Sequence, residues 1–162
     1  MATLYPEVER LRVARDRLVR LRAKVEMSPP APEDLPRSRE WVARESLAHV
    51  DEMLPYWLGE IERILAGWPT PVPFGRVATD EVRIAIIGRD RTVPLRELFD
   101  RIEADVARYE RRLVELGTGD LARKGLHPAR GSISVQTVLD LIVVEHLEEH
   151  CAQLRELLAA AG

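Results

Sequence analysis

Cysteine is nearly missing from this chain. Cys151 is the only one in 162 residues, so no internal disulfide can form, which fits a reducing cytoplasm. No run of lysine and arginine makes a basic stripe. The arginines alternate with acids, as in R-L-R-V-A-R-D-R-L, the net charge is -3 and the pI is about 5.9. That distribution argues against a nucleic-acid partner. No apolar run is long enough to span a bilayer. The strongest, V-L-D-L-I-V-V, is short and contains Asp140. The first ten residues, M-A-T-L-Y-P-E-V-E-R, hold no apolar core of a secretory signal. Internal repeats and low-complexity tracts are also lacking. The absences together lead to the expectation of a cytoplasmic protein with no membrane segment. Histidine is scarce as well, with four in the chain.

The residues present are those of a packed helical protein. Hydrophobic residues make up 46% and charged residues 31%, a globular balance without the signature of disorder. The length suits one domain, residues 1–162, with a substantial core. Apolar spacing is helical almost throughout. In the first segment Val8, Leu11, Leu18, Leu21 and Val25 share a face. Pro6 stands where a first helical turn tolerates proline, and S-P-P-A-P-E-D-L-P ends the helix. A second helix is expected from about Trp41 to Ala66, with Gly67 as its stop. Its stripe is Leu47, Val50, Leu54, Leu58, Ile61 and Leu65, and Pro55 should kink it.

Residues 67–93 then read as a long connection, the kind that often serves as a lid or binding loop. Within it T-D-E-V-R-I-A-I-I suits a short helix capped by Thr79, or a strand, since isoleucine is β-branched. A third helix begins near Pro94 and carries Leu95, Leu98, Phe99, Ile102, Val106, Tyr109 and Leu113. A second loop, D-L-A-R-K-G-L-H-P-A-R-G-S, leads to a fourth helix capped by Ser132 or Ser134 and ending near Ala160. The expected fold is all-α, a four-helix bundle with long connections after its second and third helices.

Two of the four histidines, His146 and His150, lie four apart in V-V-E-H-L-E-E-H-C-A-Q-L. Residues at that spacing project from one face of a helix, about 6 Å apart along the axis, and two imidazoles so placed can share a metal ion. On spacing alone the bland alternative stands ahead: Glu145, Glu148 and Glu149 mark a polar face, and such a pair is often only solvated. A metal site also needs a third ligand. His49 is the best candidate, because its row of Glu45, Ser46, Glu52, Met53 and Tyr56 flanks the apolar stripe and can face the fourth helix. His127, before Pro128, suits shaping a loop.

Three motifs in order carry a resemblance over nearly the whole chain: E-W-V-A-R-E-S-L-A-H-V-D-E-M-L-P-Y-W, G-L-H-P-A-R-G-S-I-S-V and H-L-E-E-H-C-A-Q-L. They resemble the DinB-like (YfiT-type) superfamily of four-helix metal-binding proteins, which includes the mycothiol- and bacillithiol-dependent transferases. The resemblance implies a metal triad with one histidine on the second helix and two on the fourth. These fall on His49, His146 and His150. It also implies a homodimer and a low-molecular-weight thiol that acts on a small electrophile.

Three neutral imidazoles suit Zn²⁺, Ni²⁺ or Fe²⁺ and leave coordination positions open, as in catalytic sites. A thiol or water beside the cation loses its proton more readily. The expected function is that of a metal-dependent hydrolase or thiol S-transferase-like protein. A non-catalytic, dimeric metal-binding stress or sensor protein is the alternative.

Candidates around the triad each have a plainer role. Gln153 could orient a ligand imidazole, or make an ordinary interhelical bond. Tyr56 could donate a proton near the metal, or pack at the Pro55 position. Arg76 and Arg83 could bind a carboxylate-bearing thiol, or be solvated. Glu45 and Glu52 could bond an imidazole. Cys151 points away from His150, toward Leu147, Leu154 and Leu158, and is expected to be a core thiol. Trp41, Trp57 and Trp68 are expected in the core or an interface.

Overall fold

The structure is a computed structural model that describes the backbone of residues 6–27 and 39–159 and the side chains of 6–22 and 44–156. Its four long helices are α1 (Pro6–Met27), α2 (Arg39–Gly67), α4 (Leu95–Leu113) and a last helix over residues 135–159. Both α1 and α2 pack against α4 and against the last helix. They therefore face each other across the diagonal of a four-helix bundle. This arrangement seats α2 directly beside the last helix, where the candidate ligands lie.

The apolar stripes form the core. Val8, Leu11 and Leu18 of α1, Leu47, Val50, Leu54, Ile61 and Leu65 of α2, and all seven stripe residues of α4 are buried. Leu21 and Leu58 pack against that core partly exposed. Val25, Trp41 and Leu158 lie outside the described side chains. Tyr109 at the centre of α4 is fully buried, and its hydroxyl donates to the Leu54 carbonyl at 2.6 Å. Trp57 is buried, but Trp68 is 45% exposed and is not a core residue.

The first long connection takes the helical one of its two expected forms, with a different cap, and the second holds a hairpin that was not expected. The segment after α2 contains a helix, α3 (Glu81–Asp90), packed on α2. Its cap is Asp80 and not Thr79: the Asp80 carboxylate accepts from the Arg83 backbone N–H at 2.9 Å. An aspartate accepts more strongly than a threonine and also suits the positive end of the helix dipole. The loop before the last helix holds a helical turn, α5 (Thr118–Leu121), and an antiparallel hairpin of β1 (Lys124–His127) and β2 (Gly131–Ser134).

The chain after α2 docks on β1, with Phe74 N–H donating to Leu126 and Leu126 N–H donating to Val72. Close approach fixes two glycines there. A Cβ on Gly125 would stand 2.6 Å from the Phe74 ring, and one on Gly75, which has φ +80°, would stand 2.5 Å from the His127 ring.

The last helix is not uniform. It opens as α6 (Val135–Thr137), capped by Ser134, whose hydroxyl accepts from Thr137 N–H. It continues as a seven-residue π-helical segment, Val138–Val144, and resumes as α7 (Glu145–Ala159). The wider π turns bury Val138, Leu139, Ile142, Val143 and Val144 together, a broader apolar face than one α-helical stripe. Such segments are rare and often lie at functional sites. This one ends two residues before His146. Arg10 of α1 then grips Glu148 of α7 through two bonds of 2.9 and 2.8 Å. No described helix is long and apolar enough to cross a membrane.

Candidate metal centre

Where α2 meets α7, Ser46 reaches His150 and Gln153 while His49 reaches His146. The two helices therefore run antiparallel at this point. The i, i+4 spacing on α7 stacks its two imidazoles, with ring centroids 4.8 Å apart and planes 14° apart. The His49 ring lies 5.1 Å from His146 and 4.6 Å from His150. One ligand atom from each of the three lies within 4.8 Å of the others, and the Nε2 atoms of His49 and His146 are 3.1 Å apart. Nitrogens around a tetrahedral Zn²⁺ stand about 3.4 Å apart, from Zn–N distances of about 2.1 Å. Rotamer shifts on the order of 1 Å would close the triad on such an ion.

The protonation states suit ligation. Burial pushes the His49 pKa down to about 3, helped by His150 and by the Arg83 cation, and that of His150 down to about 4. Burial also lowers that of His146. All three imidazoles are thus neutral at neutral pH and offer lone pairs.

The partners of the outer nitrogens differ. His150 Nδ1 lies 2.9 Å from Ser46 Oγ and 3.2 Å from Gln153 Oε1, and the Ser46 hydroxyl donates to Gln153 Oε1 at 3.2 Å. That relay is consistent in one direction: His150 Nδ1–H donates to Ser46, and Ser46 donates to Gln153. It leaves His150 Nε2 unprotonated, the state a metal ligand requires. His49 Nδ1 instead faces Arg83 Nη2 at 3.1 Å. A guanidinium only donates, so Nδ1 accepts there, and the proton of His49 sits on Nε2, aimed at His146.

Two clefts open onto these rings. One, of about 310 Å³, is walled by His49, His146, Trp57, Arg76, Arg83 and Arg130, among others, and no aspartate or glutamate lines it. The other, of about 430 Å³, adjoins all three histidines and is lined by Glu45, Ser46, Arg83 and Gln153. Arg83 borders both. A larger cleft of about 760 Å³ lies elsewhere, among Asp51, Tyr56, Asp90, Arg101 and Asp105, and none of the three histidines lines it.

The structure brings His49, His146, His150, Gln153 and Arg83 into one cluster. Tyr56 is not in it: its ring lies under the Arg76 guanidinium at 3.6 Å and lines the cleft of about 760 Å³, and burial pushes its pKa up to about 12. Arg76 reaches the smaller cleft but is paired with buried Glu52 at 2.6 Å. Glu52 therefore serves Arg76, and Glu45 lines the second cleft.

His127 shapes its turn. Its Nδ1 accepts from the backbone N–H groups of Ala129 and Arg130, and its ring stacks on Trp57. Cys151 is buried, donates to the Ala14 carbonyl at 3.4 Å, and has its pKa raised to about 12 by burial. Sequence reading passed over two contributors. Ser46 stands one turn before His49 on the same row, which is a readable signal, whereas Arg130 sits at a hairpin turn whose position only the fold reveals.

Comparison with solved structures finds the mycothiol-dependent maleylpyruvate isomerase, with a TM-score of 0.62, 20% identity and coverage of 95% of this chain. A histidine-to-alanine mutant of that enzyme aligns with a TM-score of 0.60 and the same identity and coverage. The chain spans 63% of the length of those structures. At this identity the likeness shows a shared fold. No family model matches the chain, and no curated protein sequence matches it.

Proposed function

We propose that this chain is a divalent-metal protein of the DinB-like kind that activates a low-molecular-weight thiol, or water, against a small electrophile. The observation that carries the reading is the convergence of three neutral imidazoles: His49, His146 and His150 all line one cleft, and His49 and His146 also line a second. The fold shared with a mycothiol-dependent isomerase supports a thiol as co-reactant. Zn²⁺, Ni²⁺ and Fe²⁺ all suit the donor set. Such an ion, when bound, lowers the pKa of a thiol or water at its open positions.

The chain's own residues supply the rest. Ser46 and Gln153 hold the His150 ring in one tautomer. The larger adjoining cleft admits one reactant and the smaller one the other, so that both meet at the histidines. In a thiol addition to a conjugated double bond the sulfur–carbon bond forms as the carbon–carbon π bond breaks, and the thiol proton passes by way of solvent to the neighbouring carbon. If the thiol is later eliminated, that bond breaks again and the net reaction is isomerisation. If a leaving group departs instead, the result is transfer.

The test is metal analysis of tag-free protein together with turnover. One divalent ion per chain is expected in the wild type and none in His49→Ala, His146→Ala or His150→Ala. Unchanged metal content in all three variants would sink the site. Metal-loaded protein with neither thiol-dependent turnover nor hydrolysis across a panel of thiols and electrophiles would sink the reaction and leave a non-catalytic metal-binding protein.

A further inference from the structure

We propose that Arg83 is a carboxylate-binding residue, held on His49 in the metal-free chain and released to bind a small organic acid when the triad takes its ion. This rests on the metal reading above. The geometry of His49 carries it. In the structure Arg83 Nη2 donates to His49 Nδ1 at 3.1 Å, and His49 Nε2 faces His146 Nε2 at 3.1 Å. A cation seated where those Nε2 atoms converge needs the lone pair of His49 Nε2, so the proton of the neutral imidazole must move to Nδ1. Nδ1–H and guanidinium are then both donors, and their contact is lost. Metal ligands normally present that outer N–H to an acceptor; here a cation occupies the place.

What Arg83 does once released follows from its surroundings. Arg83 Nη1 still donates to the Ala78 carbonyl at 2.9 Å, which keeps the side chain at the mouth of the clefts. Among the described residues neither Arg83 nor Arg130 is paired with a carboxylate. The third arginine of the smaller cleft, Arg76, is neutralised by Glu52. With no acid in its lining, that cleft holds two uncompensated positive charges beside the triad. A planar guanidinium with a freed edge matches a carboxylate in a two-pronged bond, and a cleft of about 310 Å³ has room for a small acid. Metal and acid should then favour each other's binding, by the reciprocity of linked equilibria.

The probes are Zn²⁺, measured by competition with a chromophoric chelator, and succinate, with succinamide as its uncharged counterpart. Arg83→Met should bind Zn²⁺ about tenfold more tightly than the wild type, because the competing donor on His49 is gone. Succinate should tighten Zn²⁺ binding by the wild type, and about tenfold less so by Arg83→Met; succinamide should act on neither. Arg83→Gln, which keeps a donor for Ala78, should behave as Arg83→Met does and replaces it should the latter not fold. Zn²⁺ affinity unchanged or weakened by these substitutions, or equal succinate coupling with and without Arg83, overturns the proposal. That failure is separate from failure of the triad, which shows instead as Zn²⁺ retained by His49→Ala.

Discussion

The two sides of the histidine cluster are built on opposite plans. On the α7 side, His150 hands its outer N–H to Ser46 and, through it, to Gln153. Its inner nitrogen is thereby set as a lone pair before any ion arrives. On the α2 side, the outer nitrogen of His49 receives a guanidinium, and its inner nitrogen carries the proton. One imidazole is preorganised for a cation; the other must change tautomer and lose a partner. On the proposed metal reading, the site's affinity is the sum of a favourable and an unfavourable half, and each half can be removed separately.

The largest expected effect comes from removing the favourable half. Ser46→Ala with Gln153→Ala leaves His150 free to rotate and to place its proton on either nitrogen. Loss of such supporting bonds typically weakens a metal site 10–100-fold, and Zn²⁺ affinity should fall by about that much, as read by chelator competition. Substitution of Arg83 should move affinity the other way. The comparison breaks if both changes shift Zn²⁺ affinity in the same direction.

Acid should reveal the two halves next. The unfolded pKa of histidine is about 6.5, and in the fold it drops to about 3 for His49 and about 4 for His150. Below pH 6.5 the unfolded chain takes up protons that the folded chain refuses. Stability contributed by these neutral rings is thus fully present above about pH 6.5 and is lost as pH falls toward 4 and then 3. At pH 5 the loss is about 1–2 kcal/mol for each of the two, buried His49 and half-buried His150. Thermal melts of metal-free protein should show a steeper fall between pH 7 and 5 in the wild type than in His49→Ala. Parallel curves would mean that His49 is not held neutral by its surroundings.

Much of this was readable before the fold. Period-3.6 spacing indicated four long helices, because each buries one face against two neighbours, and the row through Glu45, Ser46 and His49 could face the last helix, which is where the structure puts it. The hairpin was not readable: its four-residue strands are held by the chain after α2, through Val72 and Phe74, a pairing that local sequence does not encode. Nor was the π-helical segment, since V-L-D-L-I-V-V is apolar enough to satisfy either helix. Arg83 was a candidate for substrate, but its contact with His49 depends on α3 folding back on α2, and the sequence left that segment open between helix and strand.

Cys151 supplies the smallest expected effect and the sharpest control on where the site ends. A thiol next to His150 invites a role as fourth ligand or nucleophile. The helix denies it: one residue of rotation turns Cys151 about 100° from His150, into the core against Ala14 of α1, and burial holds its thiol protonated, with its pKa near 12. Cys151→Ala should therefore cost only the packing of one sulfur and a weak hydrogen bond, about 1 kcal/mol, seen as a drop of a few degrees in melting temperature. Zn²⁺ stoichiometry, Zn²⁺ affinity and thiol-dependent turnover should stay at wild-type values. A tenfold loss of Zn²⁺ affinity in this variant would instead put sulfur in the coordination shell, and the triad would then be the wrong donor set.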